Sequence, residues 1–321
     1  MKTHTVCTAL LAGCLASSAA AARAGEIYVV NNPNPVGTQI LEYDTAGNLI
    51  NPNALPADAG GGHIYVAGGN VFLNTSLGEE GIAAIAEYTT GGALVNQGLI
   101  EAATLSDGVQ VGEVSLYAGS GSDLWGWGYG QNGVPYVYEW STAGTLLQSL
   151  EWSGQSSGPY SIAVGDGYVV ATTGTSVAEW TTSGTLVSSS LITGLTGGGI
   201  TISGSDIFVT QPSPTPQTAG TAFVNEYTLS GTFVGSFSGL TYPGAIQAYD
   251  GNLYIESAGT SGGHPTTVIG EYTTAGVPIN AAIVTDPYTE SIGAFYVVPE
   301  PSTWILAAIG LAALGVVRRR R

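Results

Sequence analysis

The sequence predicts an all-β chain, a six-bladed β-propeller closed by a C-terminal strand, with an N-terminal signal peptide and a C-terminal hydrophobic helix at its ends. Three observations predict it. A pattern of β-branched residue, any residue, glutamate and aromatic recurs six times. Short apolar stretches punctuated by glycine fill the intervals, as strands and hairpins require. Helical periodicity is absent from Gly25 to Val298.

The chain opens with a secretory signal over residues 1–24. Lys2 supplies the positive start, Thr8 to Ala22 is apolar and small, and Ala22-Arg23-Ala24 fits the small-x-small rule for a cut before Gly25. Signal peptidase is therefore an expected partner. Leu11-Ala12-Gly13-Cys14 resembles a lipobox, an alternative start, but the apolar stretch before Cys14 is very short and ordinary cleavage is preferred. Cys7 and Cys14 are the only cysteines, so the body after the leader can form neither a disulfide nor a thiolate metal site.

The body spans residues 25–298. Its six repeats are Ile40-Leu41-Glu42-Tyr43, Ile85-Ala86-Glu87-Tyr88, Val137-Tyr138-Glu139-Trp140, Val177-Ala178-Glu179-Trp180, Val224-Asn225-Glu226-Tyr227 and Ile269-Gly270-Glu271-Tyr272. A short polar turn with Gly47, Gly92, Gly144, Gly184, Gly231 or Gly276 follows each. The mean spacing of about 46 residues lies in the range of propeller blades. One unit reads as four strands: Tyr160 to Val164, Tyr168 to Thr172, Ser176 to Trp180 and Thr185 to Ser189. The first unit lacks its innermost strand, since the chain expected after removal of the leader starts directly at the second, Glu26 to Asn31. A leftover strand, Ser291 to Val297, stands at the other end, so it should pair beside the first and close the ring.

Ser176 to Val187 looks like the third-to-fourth-strand part of an NHL-type propeller repeat, and Tyr160 to Val164 like that family's inner strand. The resemblance covers all six units loosely and implies the fold. It departs from the family where Asp follows the aromatic: Asp44 fits, and the other five positions hold Thr or Ser. The family's basic residues are absent, so its RNA-binding roles are not carried over.

Charge restricts the function. All six basic residues sit at the ends, Lys2 and Arg23 in front and Arg318 to Arg321 behind, while all 23 acids lie between Glu26 and Glu300. A body without cations cannot neutralise phosphates, which excludes nucleic acid and attraction to anionic headgroups. The acidity by itself serves solubility.

Catalytic groups are scarce. His63 and His264 are the only histidines after the leader, and no metal-ligand spacing or phosphate loop accompanies them. The six glutamates lie on third strands, too far from the axis to converge. They should accept local hydrogen bonds from their turns or a neighbouring blade's backbone, and the aromatics should pack between blades. The body therefore reads as non-enzymatic, without cofactor or metal. The alternative is a calcium-dependent propeller hydrolase or lyase with Glu113, Asp250 and Glu290 near the hub. A ligand face is expected where the long loops gather, around Asn74–Gly81, Leu99–Gly112, Gln211–Gly220 and Ser257–Thr267. Trp125, Trp127 and Tyr129 lead toward it and could stack on sugar rings, although inter-blade packing explains the two tryptophans as well.

The tail, residues 299–321, has three parts in order. Pro299-Glu300-Pro301 holds an extended, exposed backbone. The apolar run Trp304 to Val317 would be about 21 Å long as a helix, short of a full span. Arg318, Arg319, Arg320 and Arg321 then hold the end on the cytoplasmic side. This arrangement resembles the PEP-CTERM sorting domain. The resemblance implies a Gram-negative host that makes exopolysaccharide and processing by a membrane-embedded exosortase near Pro299-Glu300-Pro301. It implies an exported protein, held in the inner membrane during sorting and then placed in the cell envelope or released. Exopolysaccharide and envelope proteins follow as expected partners of a matrix-associated body.

Overall fold

The computed structural model describes residues 25–31, 38–56, 62–77, 82–102, 114–130, 134–152, 158–212, 222–261, 264–285 and 292–298. The leader, the Pro-Glu-Pro segment, the apolar run and the arginine block lie outside them. Among the described residues every regular element is a strand, and none is a helix long and apolar enough to cross a membrane.

Blade one takes three strands from the start of the chain, β1 (Glu26–Asn31), β2 (Gln39–Asp44) and β3 (Leu49–Leu55). Blade two is β4 (Ile64–Ala67), β5 (Asn70–Leu77), β6 (Ile82–Thr89) and β7 (Leu94–Glu101). Blade three is β8 (Ser115–Ser120), β9 (Asp123–Tyr129), β10 (Pro135–Ser141) and β11 (Leu146–Glu151). Blade four is β12 (Ser161–Gly165), β13 (Tyr168–Thr172), β14 (Ser176–Thr181) and β15 (Leu186–Thr193). Blade five is β16 (Ile200–Ser203), β17 (Asp206–Gln211), β18 (Phe223–Thr228) and β19 (Phe233–Ser238). Blade six is β20 (Ile246–Tyr249), β21 (Asn252–Ser261), β22 (His264–Thr273) and β23 (Pro278–Thr285). The last strand, β24 (Ile292–Val297), returns to blade one and pairs antiparallel with β1 as its innermost strand. The sheet order β24-β1-β2-β3 is the closure expected from the sequence.

Each turn between third and fourth strands is built alike. In blade two the Gly92 N–H donates to Thr89 C=O (2.9 Å) and the Thr89 N–H to Ala93 C=O (2.8 Å), with Gly92 at φ +85°. This is a type I turn followed by a left-handed residue, the combination that forces a bulge into the hairpin. The register indeed slips at the Glu-to-aromatic step in all six blades. The residue after the aromatic fastens the turn. Asp44 Oδ1 accepts from Asn48 N–H at 2.7 Å, and hydroxyls accept the equivalent N–H at Thr89 (3.1 Å), Ser141 (3.2 Å), Thr181 (3.0 Å), Thr228 (3.2 Å) and Thr273 (3.1 Å). Thr and Ser thus replace Asp by forming the same bond, and the departure from the NHL pattern leaves the turn intact.

The turn glycines also make close approaches to the preceding blade. A Cβ on Gly92 would stand 2.8 Å from Ala54 C=O, and one on Gly231 2.7 Å from Leu191 C=O. The core consists of apolar clusters that straddle blade interfaces. Tyr43, Tyr88, Trp140, Trp180, Tyr227 and Tyr272 each pack toward the blade before their own. The cluster of Ile27, Val29, Tyr254, Ile269, Phe295 and Val297 seals blade six to blade one.

Candidate functional site

The six innermost strands surround a central cavity of about 210 Å³. Side chains from every blade reach it, including His63, Tyr117, Ser161, Thr201, Gln247 and Tyr296. No carboxylate stands among its described lining residues. Polar groups in this lining (Ser161, Thr201) and next to it (Thr210, Asn74, Ser115) hold one blade to the next. The Ile200 N–H donates to Ser161 Oγ (3.3 Å), joining blades four and five. The Ala248 N–H donates to Thr201 Oγ1 (3.0 Å), and the Thr210 hydroxyl to Gly244 C=O (2.8 Å), joining five and six. Across the seam of blades two and three, Asn74 Nδ2 donates to Ser115 Oγ (3.1 Å) and Asn74 Oδ1 accepts from Leu116 N–H (2.7 Å).

Gln247 does this at the closure. Its Oε1 accepts from Val297 N–H (2.7 Å) and its Nε2 donates to Val297 C=O (3.2 Å), so the side-chain amide imitates one rung of a strand ladder. Val297 has zero exposure, which leaves its backbone no ready exchange with water. The only sequence signal for this clasp was one amide inside the apolar run Ile246-Gln247-Ala248.

His63 lies against Tyr117 with ring centroids 3.9 Å apart. Burial pushes its imidazole down to about 4, so it is neutral at physiological pH. Beside the start of β20, Glu256 Oε2 accepts from Ala245 N–H at 3.1 Å, and burial raises its carboxyl. Asp250 sits exposed in the hairpin between β20 and β21, away from the cavity lining. Glu79, Glu80, Glu113 and Glu290 lie outside the described residues, as does the side chain of His264.

The repeated glutamates find partners mainly in side chains, where sequence reasoning expected backbone donors. Asn70 Nδ2 donates to Glu87 (2.6 Å); Asn252 Nδ2 (2.8 Å) and the Tyr254 hydroxyl (3.1 Å) donate to Glu271. Gln148 Nε2 donates both to Glu139 (2.5 Å) and to Thr182 C=O of blade four (2.7 Å). Burial raises the Glu139 carboxyl, opposed by the Gln148 bond and helped by the charge of Asp123; at Glu226 burial acts with Asp206. Glu179 is 1% exposed, and its Oε1 has no hydrogen-bond partner.

Trp125 and Trp127 belong to the apolar cluster between blades three and four, at 1% and 9% exposure. Tyr129, half-buried, meets Trp127 edge-on at 5.1 Å. Gly158 lies so close over the Trp127 ring that a Cβ there would stand 2.3 Å from it. Gly25 is buried with φ +77°, and its carbonyl accepts from Thr45 N–H (3.0 Å). Ala22, Ala24, Pro299, Glu300, Pro301 and Arg318 to Arg321 lie outside the described residues.

The closing strand ends at Val297, and comparison with protein families matches residues 297–321 to the PEP-CTERM protein-sorting motif. The chain carries a PEP-CTERM sorting tail. Such a tail marks an exported protein sorted through the envelope and implies processing by exosortase. No curated protein sequence matches the chain. Among solved structures, a protein of unknown function from Bacteroides caccae is similar at TM-score 0.56 and 13% identity, covering 86% of this chain and 100% of that one. A crystal structure of a nidogen/laminin complex is similar at TM-score 0.55 and 12% identity, covering 85% and 97%. At such identities the likeness is one of fold. The PEP-CTERM tail therefore follows a propeller body without an intervening domain.

Proposed function

We propose that the exported body is a non-catalytic propeller of the extracellular matrix, associating with polysaccharide or with envelope proteins after its PEP-CTERM tail has been handled by exosortase. The observation that carries this reading is the use of the hub. Ser161, Thr201 and Gln247, three of the polar side chains around the axis, are committed to inter-blade hydrogen bonds. The described lining offers His63 without a carboxylate to pair with it. General acid–base chemistry needs a titratable group within hydrogen-bonding reach of a substrate and a partner to tune it. The arrangement supports holding blades together over turning substrate over.

Thermal unfolding of the body, residues 25–298, with and without the host's exopolysaccharide and with and without calcium, tests the reading. A ligand that binds only the native state at a hundred times its Kd stabilises by about 2.7 kcal/mol. A raised midpoint with polysaccharide supports the matrix-binding reading. A large rise with calcium alone would instead favour a calcium-dependent hydrolase or lyase.

A further inference from the structure

Both ends of the propeller leave it at one place. β24 finishes at the hub of blade one, and the next residue, Val298, donates its N–H to Glu26 C=O (2.9 Å). Gly25 is tied to the first outer turn through Thr45. Both ends therefore lie on the face that carries the hairpins between first and second and between third and fourth strands. This turn face is opposite the face on which second strands pass to third and one blade passes to the next. From Val298 the chain reaches Trp304, the start of the apolar run, in six steps, at most about 20 Å when extended.

A second feature rings the same face. The register slip in each hairpin leaves one residue of the outermost strand opposite nothing, immediately after the turn. These are Ile50, Val95, Leu147, Val187, Val234 and Ile279, exposed by 41, 52, 51, 50, 53 and 52%. A bulge re-aims a side chain, and here it turns six aliphatic groups outward. The turn face also bears Asp44, Asp123, Asp166, Asp206 and Asp250, while the body holds no Lys or Arg.

We infer that while the tail is embedded, the turn face rests on the lipid surface with this aliphatic collar in contact, and the loop face points away from the membrane. The short tether confines the body to the bilayer surface, and the position of its exit selects the face. Contact is apolar, so the surface it suits is zwitterionic; anionic headgroups repel the aspartates with no basic residue to compensate. Removing the tail frees the turn face. This inference rests on the sorting tail and on the exit geometry, independently of any polysaccharide binding.

The test uses residues 25–321, the chain after removal of its leader and so without Cys7 and Cys14, inserted into phosphatidylcholine vesicles. Single cysteines are placed at Ala46 beside the exit, at Ser183 on the turn across the ring, and at Tyr160 on the loop face, where the side chain is 65% exposed. Labelling by a bulky maleimide should be slowed several-fold at Ala46→Cys and Ser183→Cys relative to detergent. It should be unchanged at Tyr160→Cys, and full rates should return when the tail is cut. Val187→Ser with Val234→Ser and Ile279→Ser, all exposed positions, should remove the protection at Ser183→Cys without unfolding the body. Equal labelling of Ser183→Cys and Tyr160→Cys, or protection at Ala46→Cys alone, would overturn the inference. So would protection that survives loss of the collar or grows with anionic lipid.

Discussion

Replacing Gln247 with leucine should open the ring at its closure. The substitution keeps side-chain volume but removes both hydrogen bonds to Val297, one through each backbone group. Each bond contributes about 1 kcal/mol net, and a buried backbone group left without a partner costs about 1–3 kcal/mol. With Val297 fully buried, its N–H and C=O are both left without a partner, a loss of about 2–6 kcal/mol together. For a body of this size each kcal/mol moves the midpoint by roughly 2–4 °C, so Tm should fall by about 4–24 °C. Thermal unfolding followed by circular dichroism measures it, on the full chain in detergent and on residues 25–298. Thr201→Val is the comparison, because it removes a single bond, to Ala248 N–H, that does not involve β24. Hydrogen exchange separates the two variants. Gln247→Leu should speed exchange of amides shared by β1 and β24 more than those of blade four, whereas Thr201→Val should show no such bias. A Gln247→Leu protein melting within about 1 °C of the parent would refute the clasp, since even one lost bond exceeds that shift.

Three further outcomes follow from particular residues. Gly92→Ala forces a Cβ into a left-handed backbone and to within 2.8 Å of Ala54 C=O, so it should lower stability by about 1–3 kcal/mol, read by denaturant midpoint. Glu179→Gln should raise Tm at pH 7 and leave it unchanged near pH 4. Burial lifts the folded carboxyl above its unfolded value, so its penalty is absent below the unfolded pKa and develops as pH rises through the folded one. His63 has the opposite sign. Its folded imidazole titrates at about 4, below the unfolded 6.5, so stability present above 6.5 is lost as pH falls toward 4. His63→Gln should flatten that part of a Tm-against-pH curve, and an unaltered acid slope would show that His63 is not its source.

Much of this architecture was legible because each blade repeats one local solution. Glu followed by an aromatic, a polar residue and a glycine marks the same turn, bulge and inter-blade contact six times, so a fault in one unit does not hide the period. Closure was legible for a related reason: Glu26 to Asn31 begins a four-strand unit that only Ser291 to Val297 can complete. The clasp was not. Whether a glutamine among apolar residues is an isolated polar defect or a fastening depends on which backbone stands opposite, and Gln247 is fifty positions from Val297. The glutamate partners failed for a similar reason. Asn70 and Asn252 reach Glu87 and Glu271 because β5 and β21 run beside β6 and β22 in a definite register, which a pattern on one strand does not contain.

The absence of basic residues from the body gives these amides their weight. A propeller must hold six sheets together at the axis, and charged pairs are one way to do so. Here every charge in the body is negative, so an ion pair is unavailable and each carboxylate adds repulsion. The chain fastens its blades with groups that keep their charge state across the working range: Gln247, Asn74, Thr201, Thr210 and Ser161. Neutral fastenings are insensitive to salt, whereas exposed ion pairs weaken as salt screens them. For an exported protein, a hub of amides and hydroxyls keeps the ring closed at any ionic strength, while the acidic exterior opposes aggregation. The two faces of the ring differ in kind: repeated tight turns lie on one and dissimilar connections on the other.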